Sequence, residues 1–273
     1  MLTSGCLYPY VFETRPPDSS RRMTRYQRVP NPFALYAGPT AMRSLNEGDE
    51  ISVDLTVIGN ASRQLPYFLR AFEIAGERGL TSRRVPFRLV RVEQVPLDAS
   101  AAAETIYTPG GEFSLPEPIE CRAPVSPGGI ILEITTPLRL KEQGDLISPT
   151  NFAARHLLSS LIRRVSMLMY FHSDEPLAAD FPALKVLASN VKTSDHDLRW
   201  LDLTRKSSRQ GAMMQMGGIV GRVEIHLGEA EPLWPYLWIG QFTQAGKGTT
   251  MGLGHYRIIT AAEPMAAPGT AVL

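Results

Sequence analysis

Across residues 219–227, apolar Val223, Ile225 and Leu227 alternate with Arg222, Glu224 and His226, the two-residue repeat of a strand with one buried face. A different repeat governs residues 151–170. There Leu157, Leu158, Leu161, Ile162, Val165 and Leu168 recur at three- and four-residue spacing, which predicts an amphipathic helix with Asn151 as N-cap. Residues 130–138, Gly-Ile-Ile-Leu-Glu-Ile-Thr-Thr-Pro, are apolar and β-branched enough for a buried strand. Strand-like runs are expected at about 184–191 and 198–203. A short helix near 231–243 carries Trp234, Leu237 and Trp238, with Pro235 limiting its start, and Tyr256–Ile259 closes the series as a strand. The order β-α-β-β-α-β is that of a ferredoxin-like unit.

The first half reads similarly. Ile51, Val53, Leu55 and Val57 alternate with polar residues, 65–75 reads as a helix beginning near Pro66, and 87–92 reads as a strand. Residues 96–128 are rich in Pro, Gly and Ala, with short strand candidates at 112–113 and 119–121. The expected fold is therefore α+β, two ferredoxin-like (βαββαβ) domains in tandem over 1–128 and 129–273. No linker composition divides them and no short tandem repeat is present.

Composition narrows the class without naming a reaction. The chain has 273 residues, 44% hydrophobic and 20% charged, as an ordinary globular protein does. No apolar run approaches the ~18–20 residues that cross a bilayer. The N-terminus, Met-Leu-Thr-Ser-Gly-Cys, lacks the zones of a signal peptide, so a cytoplasmic address is expected. Cys6 and Cys121 are the two cysteines; buried, reduced thiols are expected, and no metal-ligand spacing surrounds them. Net charge is only +1, yet it is unevenly spread. Residues 61–92 set Arg63, Arg70, Arg78, Arg83, Arg84, Arg88 and Arg91 against Glu73 and Glu77, a local +5. Residues 199–209 set Arg199, Arg205, Lys206 and Arg209 against Asp202, a local +3. Arginine forks of this kind suit phosphate.

The densest chemistry lies at 240–258, where Gly246, Gly248, Gly252 and Gly254 crowd around Lys247 before the last strand. Glycines admit positive φ and close backbone approach, and the lysine with the loop N–H groups can receive an anion. Nucleotide-binding P-loop spacing fails: from Gly240 the second glycine comes one place late, and Gly248 stands where Ser or Thr follows the lysine. A dinucleotide fingerprint fails too, since no long helix follows Gly254 and no acidic residue stands about 20 positions on.

With the glycine loop set before a last strand, the chain resembles the endoribonuclease family that processes CRISPR precursor transcripts, within the RAMP superfamily. The matching stretches are Thr-Arg-Lys-Ser-Ser-Arg-Gln at 204–210, Gly-Gly-Ile-Val-Gly-Arg-Val at 217–223, and Ala-Gly-Lys-Gly-Thr-Thr-Met-Gly-Leu-Gly-His-Tyr-Arg at 245–257. Residues 6–14, 65–68 and 136–140 also look like family members. The resemblance implies binding and a single metal-independent cut of CRISPR repeat RNA by the substrate's 2′-hydroxyl, leaving a 2′,3′-cyclic phosphate and a 5′-hydroxyl. It implies no cofactor, with repeat RNA and mature crRNA as partners and other CRISPR effector-complex subunits beside them. The alternatives are a non-catalytic crRNA-binding subunit and, more distantly, a phosphate-ligand enzyme.

Such chemistry needs a base, an acid and cations. Many family members carry a catalytic histidine in the first domain, but here the first histidine is His156. His156 shares a predicted polar helix face with Ser160, Arg163 and Arg164. His172 ends the apolar line of the same helix, where it could cap the C-terminus. Tyr67 stands where relatives place catalytic residues. His156, His172 and Tyr67 are thus the catalytic candidates. His196, between Asp195 and Asp197, reads as a turn residue, and His226 faces outward from a strand. Lys247, Gly246, Gly248, Thr249, Gly252, Gly254 and His255 of the loop, with Arg205, Lys206 and Arg209, are the RNA-binding candidates. Gln244 fills a position where relatives often have histidine.

Overall fold

A computed structural model of the chain describes residues 7–14, 29–38, 44–97, 101–174, 179–206 and 211–259. The first half opens with α1 (Leu7–Phe12), followed by the antiparallel pair β1 (Phe33–Ala37) and β2 (Val53–Val57). Helix α2 (Leu65–Arg78) carries Pro66 in its first turn and stops at Gly79, whose φ of 77° suits glycine. A second antiparallel pair, β3 (Val92–Gln94) and β4 (Glu104–Tyr107), completes this half. Phe33 and Phe68 meet edge to face at 5.4 Å inside a small cluster with Val11, so α1, β1 and α2 share one core.

Several expectations change here. Residues 87–91 form no strand, because Phe87 donates its N–H to the Gly76 carbonyl at 3.2 Å and lies along the end of α2. Strand β1 was not foreseen, and neither 112–113 nor 119–121 is a strand. Among the described residues the first half has two strand pairs in place of a four-stranded sheet.

In the second half the expected β-α-β-β-α-β order appears, with an added helix and two small hairpins between its elements. Strand β5 (Gly129–Leu138) leads into a small hairpin, β6 (Lys141–Glu142) with β7 (Asp145–Leu146), and then into α3 (Ala154–His172) and α4 (Phe181–Asn190). Next come β8 (Lys192–Leu201), the hairpin β9 (Thr204–Lys206) with β10 (Met213–Gln215), β11 (Gly218–His226), α5 (Trp234–Thr243) and β12 (Tyr256–Ile259). The sheet order is β12-β5-β11-β8, antiparallel throughout, which is the ferredoxin-like arrangement. Register sets Leu132 opposite Val223 and Ile130 opposite Ile225, and all four are buried against α3 and α5.

Residues 184–191, expected as a strand, belong to α4. Asp180 accepts the Ala183 N–H at 3.1 Å, Pro182 stands in the first turn, and Leu184, Leu187 and Ala188 lay one face on the core. Asn151 does not cap α3. It lies in the short turn Pro149–Asn151, and the helix starts three residues later, at Ala154, behind the N-cap Ala153. His196 is inside β8 opposite Val223, so it is not a turn residue. Cys121 is exposed, against the buried thiol expected, and Cys6 lies outside the described residues. No helix among the described residues is long and apolar enough to cross a membrane.

The halves are joined around the end of α3 and the glycine loop. His172 donates from Nε2 to the Pro30 carbonyl at 2.9 Å and meets the edge of the Tyr10 ring at 5.6 Å. Asn60 donates to Asp174 at 2.8 Å, and Gln244 donates to the Leu35 carbonyl at 2.6 Å across 209 residues. Strand β1 therefore rests against the loop.

Candidate nucleic-acid interface

Helix α5 ends where Gln244 takes φ 60°, and the chain turns into the glycine loop. Gly240, the first glycine of the run, lies within α5. It leaves room for the Tyr256 ring, whose hydroxyl donates to the Leu237 carbonyl at 2.7 Å. The loop is closed by Ala245 N–H to Gly254 O at 2.9 Å. It is fastened to β5 by Gly254 N–H to Pro137 O and Lys247 N–H to Arg139 O, both at 3.1 Å, and to α3 by Gly246 N–H to Ser160 Oγ at 3.2 Å. Thr249–Met251 form a short turn between Gly248 and Gly252, both left-handed.

This geometry corrects the expected cradle of loop N–H groups. Those of residues 245–247 and 251–254 are used inside the protein, and Thr249 is buried; among the described residues only Gly248, Thr249 and Thr250 leave theirs untaken. What the loop presents is the exposed Lys247 on a backbone that cannot yield. Beside it stands the β9–β10 hairpin. Arg205 is exposed, and its Nη1 reaches Met251 Sδ at 3.3 Å, so the basic hairpin and the loop form one surface. Lys206 follows on the strand opposite Met213, and Arg209 lies outside the described residues.

Several cations elsewhere are paired with carboxylates, while Arg63, Arg78, Arg83, Arg84 and Arg88 of the 61–92 cluster are exposed. On the outer sheet face Glu133 accepts Arg222 through Nε at 2.9 Å and Nη2 at 2.6 Å, and Arg257 through Nε. Burial would raise the Glu133 carboxyl, but these arginines bring it below its ordinary value. In the first half Arg70 pairs with Glu73 at 2.9 Å and Arg91 with Glu93 at 3.3 Å.

The three catalytic candidates do not meet at this surface. His156 is 9% exposed at the start of α3: Nδ1 accepts the Ala153 N–H at 3.1 Å and Nε2 bonds Glu142 at 3.1 Å. Nδ1 is spent on the helix start and Nε2 on the β6–β7 hairpin. Its supposed neighbour Arg164 is also buried, donating from Nε to the Thr243 carbonyl at 2.8 Å, and desolvation pushes its guanidinium down to about 10. The predicted polar face fails because the turn before the loop packs onto it. His172 is 1% exposed, with Nε2 committed to Pro30 and Nδ1 without a partner; burial lowers its pKa, and the Arg164 charge adds to this. It joins the halves and does not face solvent. Tyr67 is 62% exposed on the first turn of α2, while the adjacent Phe68 and Leu69 are buried. His156→Ala is accordingly expected to cost about 1 kcal/mol in urea unfolding while leaving RNA cleavage unchanged. A cleavage rate reduced a hundredfold at full stability would return His156 to the active site.

His255 stands apart. It follows Gly254, its Nδ1 is 2.6 Å from Thr135 Oγ1, and its ring stacks on Tyr36 of β1. Burial, with the Arg257 charge added, pushes its imidazole down to about 4, so at neutral pH it is a neutral ring and not a cation. Sequence reasoning missed Tyr36 and Thr135, since nothing local relates either of them to position 255.

Residues 132–256 match the family model for the CRISPR-associated endoribonuclease Cas6, and residues 1–119 match a model described as an N-terminal domain. Among solved structures, one Cas6 product complex shares 22% identity over 85% of this chain and 83% of its own, with a TM-score of 0.52. A second Cas6 product complex shares 19% over 84% and 82%, at 0.55. Cas6 from Thermus thermophilus shares 18% over 84% and 79%, at 0.53. At these identities the likeness is one of fold, and it spans both halves. No curated protein matches the chain.

Proposed function

We propose a reaction for a chain whose residues 132–256 match the family model of the CRISPR-associated endoribonuclease Cas6. It binds CRISPR repeat RNA and cuts it once per repeat to give mature crRNA. The nucleophile is the substrate's own 2′-hydroxyl, and the products are a 2′,3′-cyclic phosphate and a 5′-hydroxyl. The observation that carries this reading is the surface that joins Arg205 of the β9–β10 hairpin to the loop of Lys247, itself locked to β5 and α3. Fixed cations at the phosphodiester neutralise charge without reorganising as the reaction proceeds. A nucleophile supplied by the RNA leaves the protein only proton transfer and positioning, so neither metal nor cofactor is needed. Similar folds were obtained as product complexes, in keeping with an RNA that stays bound after the cut.

The commitment of His156 and His172 to structural bonds favours a second reading, a crRNA-binding subunit that does not cut. Incubation of the purified chain with its repeat RNA in EDTA separates the two. One cut inside the repeat, abolished by a 2′-deoxy substitution before the scissile phosphate, is the expected result. Tight binding with no cut would establish the second reading, and a cut that appears only when magnesium is restored would remove the metal-independent mechanism. In the same assay Lys247→Ala is expected to weaken binding and to lower the salt slope by about 0.7–0.9, one phosphate contact. Unchanged affinity and slope would remove the loop from the interface.

A further inference from the structure

Beside the loop the structure assembles one pair of groups able to pass protons. The rings of Tyr36 and His255 lie face to face, centroids 3.6 Å apart and planes 10° apart. Strand β5 holds this residue by ring and by backbone: Thr135 Oγ1 is 2.6 Å from Nδ1, and Thr136 Oγ1 accepts the His255 backbone N–H at 2.9 Å. The ring plane and one nitrogen are therefore fixed, and Nε2 is the nitrogen left for a ligand. Tyr36 is equally placed, because the carbonyl of its neighbour Leu35 accepts the Gln244 side chain at the start of the loop. Both residues are only half-buried. A stacked His–Tyr pair between two halves of a chain contributes packing that any two flat side chains could supply. A hydroxyl partner for Nδ1 is a further specification, and it engages one ring nitrogen while Nε2 has no hydrogen-bond partner among the described residues.

We infer that Tyr36 and His255 are the acid–base pair of the cleavage step, an assignment that rests on the reaction proposed above. Nε2 of His255 takes the proton of the 2′-hydroxyl as the O2′–P bond forms. The P–O5′ bond breaks, and the Tyr36 hydroxyl gives its proton to O5′. Imidazolium and tyrosinate then recover their starting states by proton exchange through water, so that no proton is gained or lost. Lys247 and Arg205 face the charge on the non-bridging oxygens. Burial keeps the imidazole in its base form at neutral pH, and a phosphodiester brought beside it favours the imidazolium as the proton arrives.

The test is single-turnover cleavage of repeat RNA by the full chain in excess. Tyr36→Phe keeps the stack and removes only the hydroxyl; it is expected to slow cleavage about a hundredfold with RNA affinity unchanged. His255→Ala is expected to slow it by about 10²–10⁴-fold, with partial rescue by added imidazole. An RNA with sulfur in place of O5′ at the scissile phosphate has a leaving group that needs no proton. It should return Tyr36→Phe to near the wild-type rate and leave His255→Ala slow. If His255→Ala loosens the loop, seen as a lowered thermal midpoint, His255→Asn takes its place, with the same loss expected. Full-speed cleavage by either variant overturns the pair alone, as does a sulfur substrate that leaves Tyr36→Phe slow. A wild-type chain that binds RNA without cutting it removes the reaction and the pair together.

Discussion

Gly254→Ala is expected to dismantle the glycine loop. A Cβ on Gly254 would lie 1.8 Å from the Ala245 carbonyl oxygen, and the residue has φ +75°. Relief of that overlap must separate residues 245 and 254, whose backbone bond closes the loop, and pull Gly254 off the Pro137 carbonyl. Strain at a left-handed alanine and overpacking against backbone each cost on the order of 1–3 kcal/mol, so a combined loss of about 4 kcal/mol is expected in urea unfolding. RNA affinity should fall with it, because Lys247 would no longer be held against Arg139. Gly252→Ala is the control: it has φ +81°, but its Cβ would meet nothing nearer than the Leu35 carbonyl at 3.7 Å, so only the conformational cost of about 1 kcal/mol applies. If both variants lose the same stability, the close approach at 254 is not what the loop depends on.

The second large effect is acid lability between pH 6.5 and 5. His255 is pushed down to about 4 by burial and then by Arg257, and His172 is lowered by burial and then by Arg164. The unfolded chain therefore binds more protons than the native one below the ordinary histidine value near 6.5, and stability must fall as pH falls. Their contribution is complete above that value. For His255 the loss runs down to about pH 4 and amounts to at most about 3 kcal/mol, less whatever solvent reaches the half-buried ring. The window to pH 5 lies above the ordinary carboxylate range, and Asp54, raised by burial, acts in the opposite direction, so a net loss there is the histidines'. Urea unfolding at pH 7.5 and 5 should show the loss in the wild type and a smaller one in His255→Asn. Equal stability at the two values in the wild type, or an unchanged difference in the variant, would sink this account.

Much of the second half was legible in the chain. The alternation at 219–227, the apolar stripe of α3 and the β-branched run at 130–138 are each long enough to declare their period, and the structure builds β11, α3 and β5 there. Short apolar runs were less secure. Residues 184–191 have a strand's composition, but Asp180 and Pro182 start a helix just before them. Residues 87–91 have β-forming side chains and no strand partner, because Gly76 lets their backbone lie on α2. The N–H cradle expected of the glycine loop failed for a related reason: glycine density signals close approach, and here what approaches is the protein's own backbone at Arg139 and Ala245.

By itself the sequence determined the ferredoxin-like order of the second half, the necessity of glycine at the loop and the presence of its lysine, because periodicity and positive φ are local demands written in adjacent residues. Only the tertiary structure decided which histidine is available. Helical phase placed His156 and Arg164 on one face but could not say what packs there, and the partners that settle each ring come from elsewhere: Glu142 for His156, Pro30 for His172, Thr135 and Tyr36 for His255. The role of an imidazole depends on which of its nitrogens are already bonded and on how dry its surroundings are, and both are fixed only when distant segments close around it.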